Sequence, residues 1–177
     1  LDEETSTDVE KKNFMRDAKE AEIVLQGVYR STIEDGQYGY HLSILFNLGT
    51  DMEQAEGNST ENYRIIPANA FPTTQSEVQT TWSSLYAGVY NANDFLERIS
   101  SKINTYSDTD RQLATLYIAE ARALRAMFYF ELVRRYGNIA LMTNTEMSKQ
   151  DPRTFVQVKP EKVYEFIEDD LLYASRI

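Results

Sequence analysis

The chain has 177 residues, with 18 Lys and Arg against 28 Asp and Glu, giving a net charge of −10. A chain of this length buries roughly two-thirds of its surface, enough for one hydrophobic core. Its 42% hydrophobic and 12% aromatic residues exclude a disordered acidic tail. The acidity disfavours nucleic-acid partners by repelling phosphate, and the lack of cysteine excludes disulfides, thiolate metal sites and cysteine nucleophiles within these residues.

Residues 1–16 are expected to form an extended N-terminal arm, because the opening stretch is polar, mixed in charge and without hydrophobic period. It resembles no signal peptide, and no apolar run in the chain approaches the ~20 residues of a membrane helix. From Asp17, a capping box with Glu20 and the spacing of Ala21, Val24, Leu25 and Val28 predict a first helix to about Ile33. Residues 34–39 break it, and a short apolar stretch, Leu42–Leu48, leads into a polar region from Asn47 to Gln75 that contains Pro67 and Pro72. Ordinary inter-helix connections run ~2–8 residues, so this region is the expected place for binding.

A second capping box, Ser76 with Gln79, opens a long helix carrying Val78, Trp82, Leu85, Val89, Leu96, Ile99 and Ile103 at helical spacing. Ser107 and Asp110 cap a third, with a stripe through Leu113, Tyr117, Ala121, Leu124, Phe128, Leu132 and Tyr136 that Gly137 terminates. The expected core unites Trp82, Leu85 and Val89 with Leu124, Phe128 and Leu132. Residues 139–143 read as a short extended piece. A linker containing Pro152 follows, and Pro160 sits at the first position of a fourth helix that buries Val163, Phe166, Ile167 and Leu171. That helix ends the chain with an apolar face still uncovered, as in a truncated domain.

Gly27-Val28-Tyr29 in the first helix is echoed by Gly88-Val89-Tyr90 in the second. A mid-helix glycine costs about 1 kcal/mol against alanine. Its use twice predicts two close helix contacts and a loose tetratricopeptide-like repeat, helped by Ala119, Ala121, Ala123 and Ala126. Asn93 falls on the buried stripe and must find a partner, expected to be neighbouring backbone. Glu120 and Arg125 read as structural ion-pair or bonding residues.

Little catalytic chemistry is visible. His41 is the only histidine and belongs to no metal motif; phosphate loops, dinucleotide fingerprints and nucleophile elbows are absent. The carboxylate pairs Asp51/Glu53 and Asp169/Asp170 are formally available to a glycosidase, and Asp51, Glu53, Glu56, Asn58 and Glu61 form an oxygen-rich stretch without EF-hand spacing. Solvated acids are the simpler account of both, and no cofactor or metal is expected. Sugar rings stack apolar C–H faces on aromatic planes while their hydroxyls bond carboxylates and amides. Asp51, Glu53, Asn62, Tyr63 and Arg64 in the long polar region fit that recipe and are the candidate ligand-binding residues, with Tyr38 and Tyr40 at its entrance.

The run EARALRAMFYFELVRRYGNIALMT, Glu120–Thr143, closely resembles the signature helix of the SusD/RagB family, surface glycan-binding lipoproteins of Bacteroidetes. EIVLQGVYRS at Glu22–Ser31, WSSLYAGVYNANDFLERI at Trp82–Ile99 and KVYEFIEDDL at Lys162–Leu171 accompany it in family order. The resemblance implies an all-α, tetratricopeptide-like fold of helix pairs with long irregular loops. It places residues 17–177 as the N-terminal helical domain of a protein that continues for several hundred residues.

It further implies capture of an oligosaccharide, without catalysis, and its transfer to a TonB-dependent, SusC-like transporter. Anchoring at the outer membrane would be through a lipidated cysteine, with Leu1-Asp2 resembling residues a few positions after it. The region before Trp82 holds no tryptophan, unlike starch-binding members, so starch is not carried over as ligand. The competing expectation is a helical-repeat scaffold that binds a protein and no sugar.

Overall fold

The computed structural model describes residues 14–43, 50, 52 and 76–177. Those residues are mostly helical. Helix α1 spans Ala18–Ser31, α2 Ser76–Lys102, α3 Asp108–Tyr136, α4 Thr145–Ser148 and α5 Pro160–Ala174.

The local signals act largely where the spacing predicts. Asp17 caps α1 by accepting the Glu20 N–H at 2.8 Å, while the Glu20 carboxylate turns back to the Arg16 N–H and guanidinium. Ser107 caps α3 by accepting the Asp110 N–H and donating its hydroxyl to the Asp110 carboxylate. Gly137 stops that helix with φ at 70°, a backbone state costly for residues with a Cβ. Pro160 starts α5 as expected. Ser76 is instead the first residue within α2, and its hydroxyl donates to the Glu77 carboxylate. Of the arm expected over residues 1–16, residues 1–13 lie outside the described residues. Met15 is fully buried, and its carbonyl accepts the Tyr106 hydroxyl at 2.7 Å.

A short connection through Ile103–Thr105 folds α3 back along α2, and α1 packs against both. Helix α5 covers another side of α3. Three helical neighbours among the described residues explain why α3 buries more than one stripe: Ala119, Ala126, Tyr129 and Val133 join the expected Ala121, Leu124, Phe128 and Leu132. Leu113, expected inside, is exposed, and Ala114 takes the buried position beside it. In α5, Val163 and Ile167 are buried as expected, but the next inward position is Asp170 and Leu171 faces out.

Five of the six expected core residues are buried; Trp82 is only half-buried. The two Gly-Val-Tyr segments behave differently. A Cβ on Gly88 would lie 2.8–2.9 Å from the Phe128 ring, so α2 and α3 do approach closely there. Gly27 lies on the exposed side of α1 with nothing within 4 Å of an added Cβ, which removes the close contact expected of it.

Residues 34–39 form a wide helical turn, Asp35–Gly39, that docks on α2. Gly36 lies where a Cβ would strike Ser84 Oγ, and buried Gln37 donates to the Ser84 carbonyl at 2.8 Å. Beyond α3 the extended piece is confirmed as β1, Ile139–Ala140, which pairs antiparallel with β2, Gln157–Val158, a partner not foreseen in the linker.

The segment after β1 is strapped to the helices by side chains. The Tyr86 hydroxyl donates to the Ala140 carbonyl at 2.8 Å, and Asn93 donates to the Met142 carbonyl at 2.9 Å. The Tyr129 hydroxyl accepts the Met142 N–H and donates to its carbonyl. Glu97 receives the Thr145 N–H and hydroxyl at the start of α4.

Candidate functional site

The candidate ligand residues Asp51, Glu53, Asn62, Tyr63 and Arg64 lie outside the described residues, as do Glu56, Asn58 and Glu61. The tyrosines at the entrance are described. Tyr38 and Tyr40 are each nearly half exposed. Tyr38 donates its hydroxyl to Glu131 on α3 at 2.7 Å, and Glu131 also pairs with Arg135. Burial, followed by the bond to Glu131, pushes the Tyr38 phenol up to about 12. The Tyr40 ring meets the His41 ring edge-on. His41 Nδ1 lies 2.9 Å from the Asp35 carbonyl, which can only accept, so the proton sits on Nδ1.

The second carboxylate pair separates completely. Asp169 is exposed, whereas Asp170 is fully buried and held by Arg122 at 2.6 Å and by Arg125 at 2.8 and 2.9 Å. Arg125 also donates to the Asn93 side chain at 2.7 Å and lies over the Phe166 ring. This network ties α3 to α5 through the Asp170 carboxylate and to α2 through Asn93, so Asp170 reads as a buried structural ion pair. Glu120 accepts the Tyr29 hydroxyl at 2.8 Å, joining α1 to α3. Asn93 bonds the expected backbone carbonyl and, in addition, Arg125.

Among the described residues, a cleft of about 420 Å³ lies between the first half of α2 and the segment around the β1–β2 ribbon, a concavity of the size that suits a small ligand. Trp82, Ser83 and Tyr86 line one side; Ala140, Met142, Phe155 and Gln157 line the other. The Trp82 ring contacts Tyr86, 4.9 Å away centroid to centroid, and Tyr136, 4.7 Å away and edge-on. The Tyr136 hydroxyl donates to the Val78 carbonyl at 2.8 Å, and desolvation raises its phenol to about 12. Both supporting tyrosines are thereby fixed by backbone bonds.

Trp82 and Tyr86 sit four residues apart on an apolar stripe, a pattern that reads as core. Phe155 and Gln157 carry no sequence signal linking them to that stripe, because only the return of the ribbon brings them across from α2. Chemically, the cleft offers aromatic and aliphatic walls with a hydroxyl and an amide at its edge, which suits reversible binding. Among the described residues, no three acidic or histidine side chains converge to hold a metal ion, and no helix is long and apolar enough to cross a membrane.

Comparison with known proteins places this architecture. A SusD-like family described as "Starch-binding associating with outer membrane" matches residues 1–177. A SusD homolog from Bacteroides thetaiotaomicron superposes with a TM-score of 0.91 at 68% identity, covering 98% of this chain and 32% of that one. A laminarin-binding SusD-like protein superposes with a TM-score of 0.71 at 26% identity, covering 88% of this chain and 33% of its own. A SusD-like protein of Bacteroides ovatus is 32% identical over 97 residues, 52% of this chain and 16% of that protein. The chain thus spans about a third of the length of these solved relatives. With an all-α, tetratricopeptide-like arrangement shared with those structures and a family match along its whole length, the chain belongs to the SusD-like family.

Proposed function

We propose that this chain is the helical part of a surface glycan-binding protein that captures oligosaccharides and hands them to a TonB-dependent, SusC-like transporter. The observation that carries the reading is the family match over residues 1–177, supported by structural likeness to a laminarin-binding member. In this reading, residues 17–177 supply a helical platform and residues 1–16 an arm leading to a lipid anchor at the outer membrane. The protein binds and does not catalyse. Rigid helix pairs held by buried networks, such as Asn93–Arg125–Asp170, suit a platform whose binding surfaces keep their shape when empty.

Calorimetry of the chain against laminarin-derived and starch-derived oligosaccharides tests the capture step. Saturable binding of one of them supports it, and silence toward every neutral oligosaccharide offered would count against it. The hand-over is tested by recovery of a TonB-dependent transporter with the tagged protein from outer membranes. Recovery without one would remove that half of the proposal. Candidate ligand residues Asp51, Glu53, Asn62, Tyr63 and Arg64 are tested in the same titration, where Tyr63→Ala should weaken binding if the long polar region contributes.

A further inference from the structure

We infer that the cleft beside Trp82 is a subsite for one pyranose ring of a neutral glycan, with Trp82 as the stacking platform. The inference rests on the glycan-binding reading and adds to it a place and a charge class. Trp82 is the one expected core residue that stays half open, and it does so at the cleft. Its orientation is set before any ligand arrives: Tyr86 and Tyr136 pack against the indole, and their hydroxyls are tied to the carbonyls of Ala140 and Val78. A preset aromatic wall loses little freedom on binding, which is what a weakly polar ligand such as a sugar face requires.

The rest of the lining matches the two-sided character of a pyranose. Met142 and Phe155 extend the apolar wall, while exposed Ser83 and Gln157 offer a hydroxyl and an amide that can each donate and accept to ring hydroxyls. The volume of about 420 Å³ lies in the range of small-ligand sites. Among the described residues, the seven side chains that line the cleft are uncharged, and the chain as a whole carries −10. A neutral ring meets complementary groups there, whereas a uronate or sulfated ring would bring its charge against an uncharged wall in a negative field.

Trp82 is the only tryptophan in the chain, so intrinsic fluorescence reports on this cleft alone. The intact chain is titrated with laminari- and malto-oligosaccharides and with an oligogalacturonate, following tryptophan emission and heat in parallel. A neutral oligosaccharide should shift the emission saturably, with the same Kd as the calorimetric binding. Trp82→Ala should raise that Kd about tenfold. Gln157→Ala, at an exposed position that leaves packing intact, should raise it by a smaller factor and so guards against misfolding of the tryptophan variant.

Heat of binding with unchanged tryptophan emission and an unaffected Gln157→Ala variant would place the glycan elsewhere, overturning the subsite while leaving glycan binding intact. No binding of any neutral oligosaccharide would overturn both. An oligogalacturonate that shifts the emission at equal or lower concentration would overturn the assignment of charge class.

Discussion

The two Gly-Val-Tyr segments allow a paired test in which identical substitutions should have opposite signs. Gly27→Ala replaces a mid-helix glycine where an added Cβ meets nothing within 4 Å, so only the helix propensity changes, and the gain is about 0.8–1 kcal/mol. Gly88→Ala gains the same propensity but sets its Cβ 2.8 Å from Phe128 Cζ and 2.9 Å from both Cε atoms. Ordinary contact begins at 3.4 Å, so the ring must retreat by about half an ångström. Phe128 is fully buried and has little room to do so. Overpacking of this kind costs about 1–3 kcal/mol, leaving a net loss of roughly 1 kcal/mol and a gap of about 2 kcal/mol between the variants.

For a chain of this size, 1 kcal/mol moves Tm by about 2–4 °C, so scanning calorimetry should separate Gly27→Ala from Gly88→Ala by roughly 4–8 °C. Phe128→Leu combined with Gly88→Ala should show a favourable coupling in a double-mutant cycle, because the shorter side chain vacates the contested space. Equal stabilisation by both glycine replacements would refute the close approach of α2 and α3 at Gly88.

Asp170→Asn should destabilise the protein by about 3 kcal/mol in urea unfolding, since it leaves two arginines facing a neutral group in a buried network, while Asp169→Asn should stay within about 0.5 kcal/mol. Similar effects at the two positions would contradict the network. Tyr129→Phe should cost about 1–3 kcal/mol by stranding the Met142 N–H, and an unchanged unfolding midpoint would show that this strap is dispensable. Burial and the carboxylates of Glu120 and Glu131 raise Tyr29 and Tyr38 to about 12. An exposed phenol ionises near 10. Raised folded values mean that this contribution is complete below about pH 10 and lost as the pH climbs through 12. Thermal melts across that window should fall less steeply for the Tyr29→Phe/Tyr38→Phe double variant, and parallel curves would exclude these two tyrosines as the cause.

Much of the helical order was legible because its determinants are local. Asp17, Ser107, Gly137 and Pro160 act on backbone groups within a turn of themselves, so their effect does not depend on the rest of the fold. The ends differ by a residue or two where no strong stop exists, as at Ser31, where α1 ends short of Ile33. The candidate ligand residues in the long polar region follow from side-chain chemistry and position alone, and they lie outside the described residues.

Amphipathic spacing identifies which side of a helix turns inward but not how many neighbours that helix will have. Helix α3 packs against α1, α2 and α5, so Tyr129 and Val133 are buried beyond the single stripe that spacing reveals. The same limit hid the roles of Asp170, which is tolerable inside only because Arg122 and Arg125 arrive from another helix, and of Gly27, whose twin alone meets a neighbour. The chain's own order therefore determined the helices, their caps and the family resemblance. Tertiary contact alone decided which glycine is crowded, which carboxylate is neutralised and that Trp82 opens onto a cleft. Each of these depends on atoms brought together from distant stretches of chain, a relation that no local periodicity encodes.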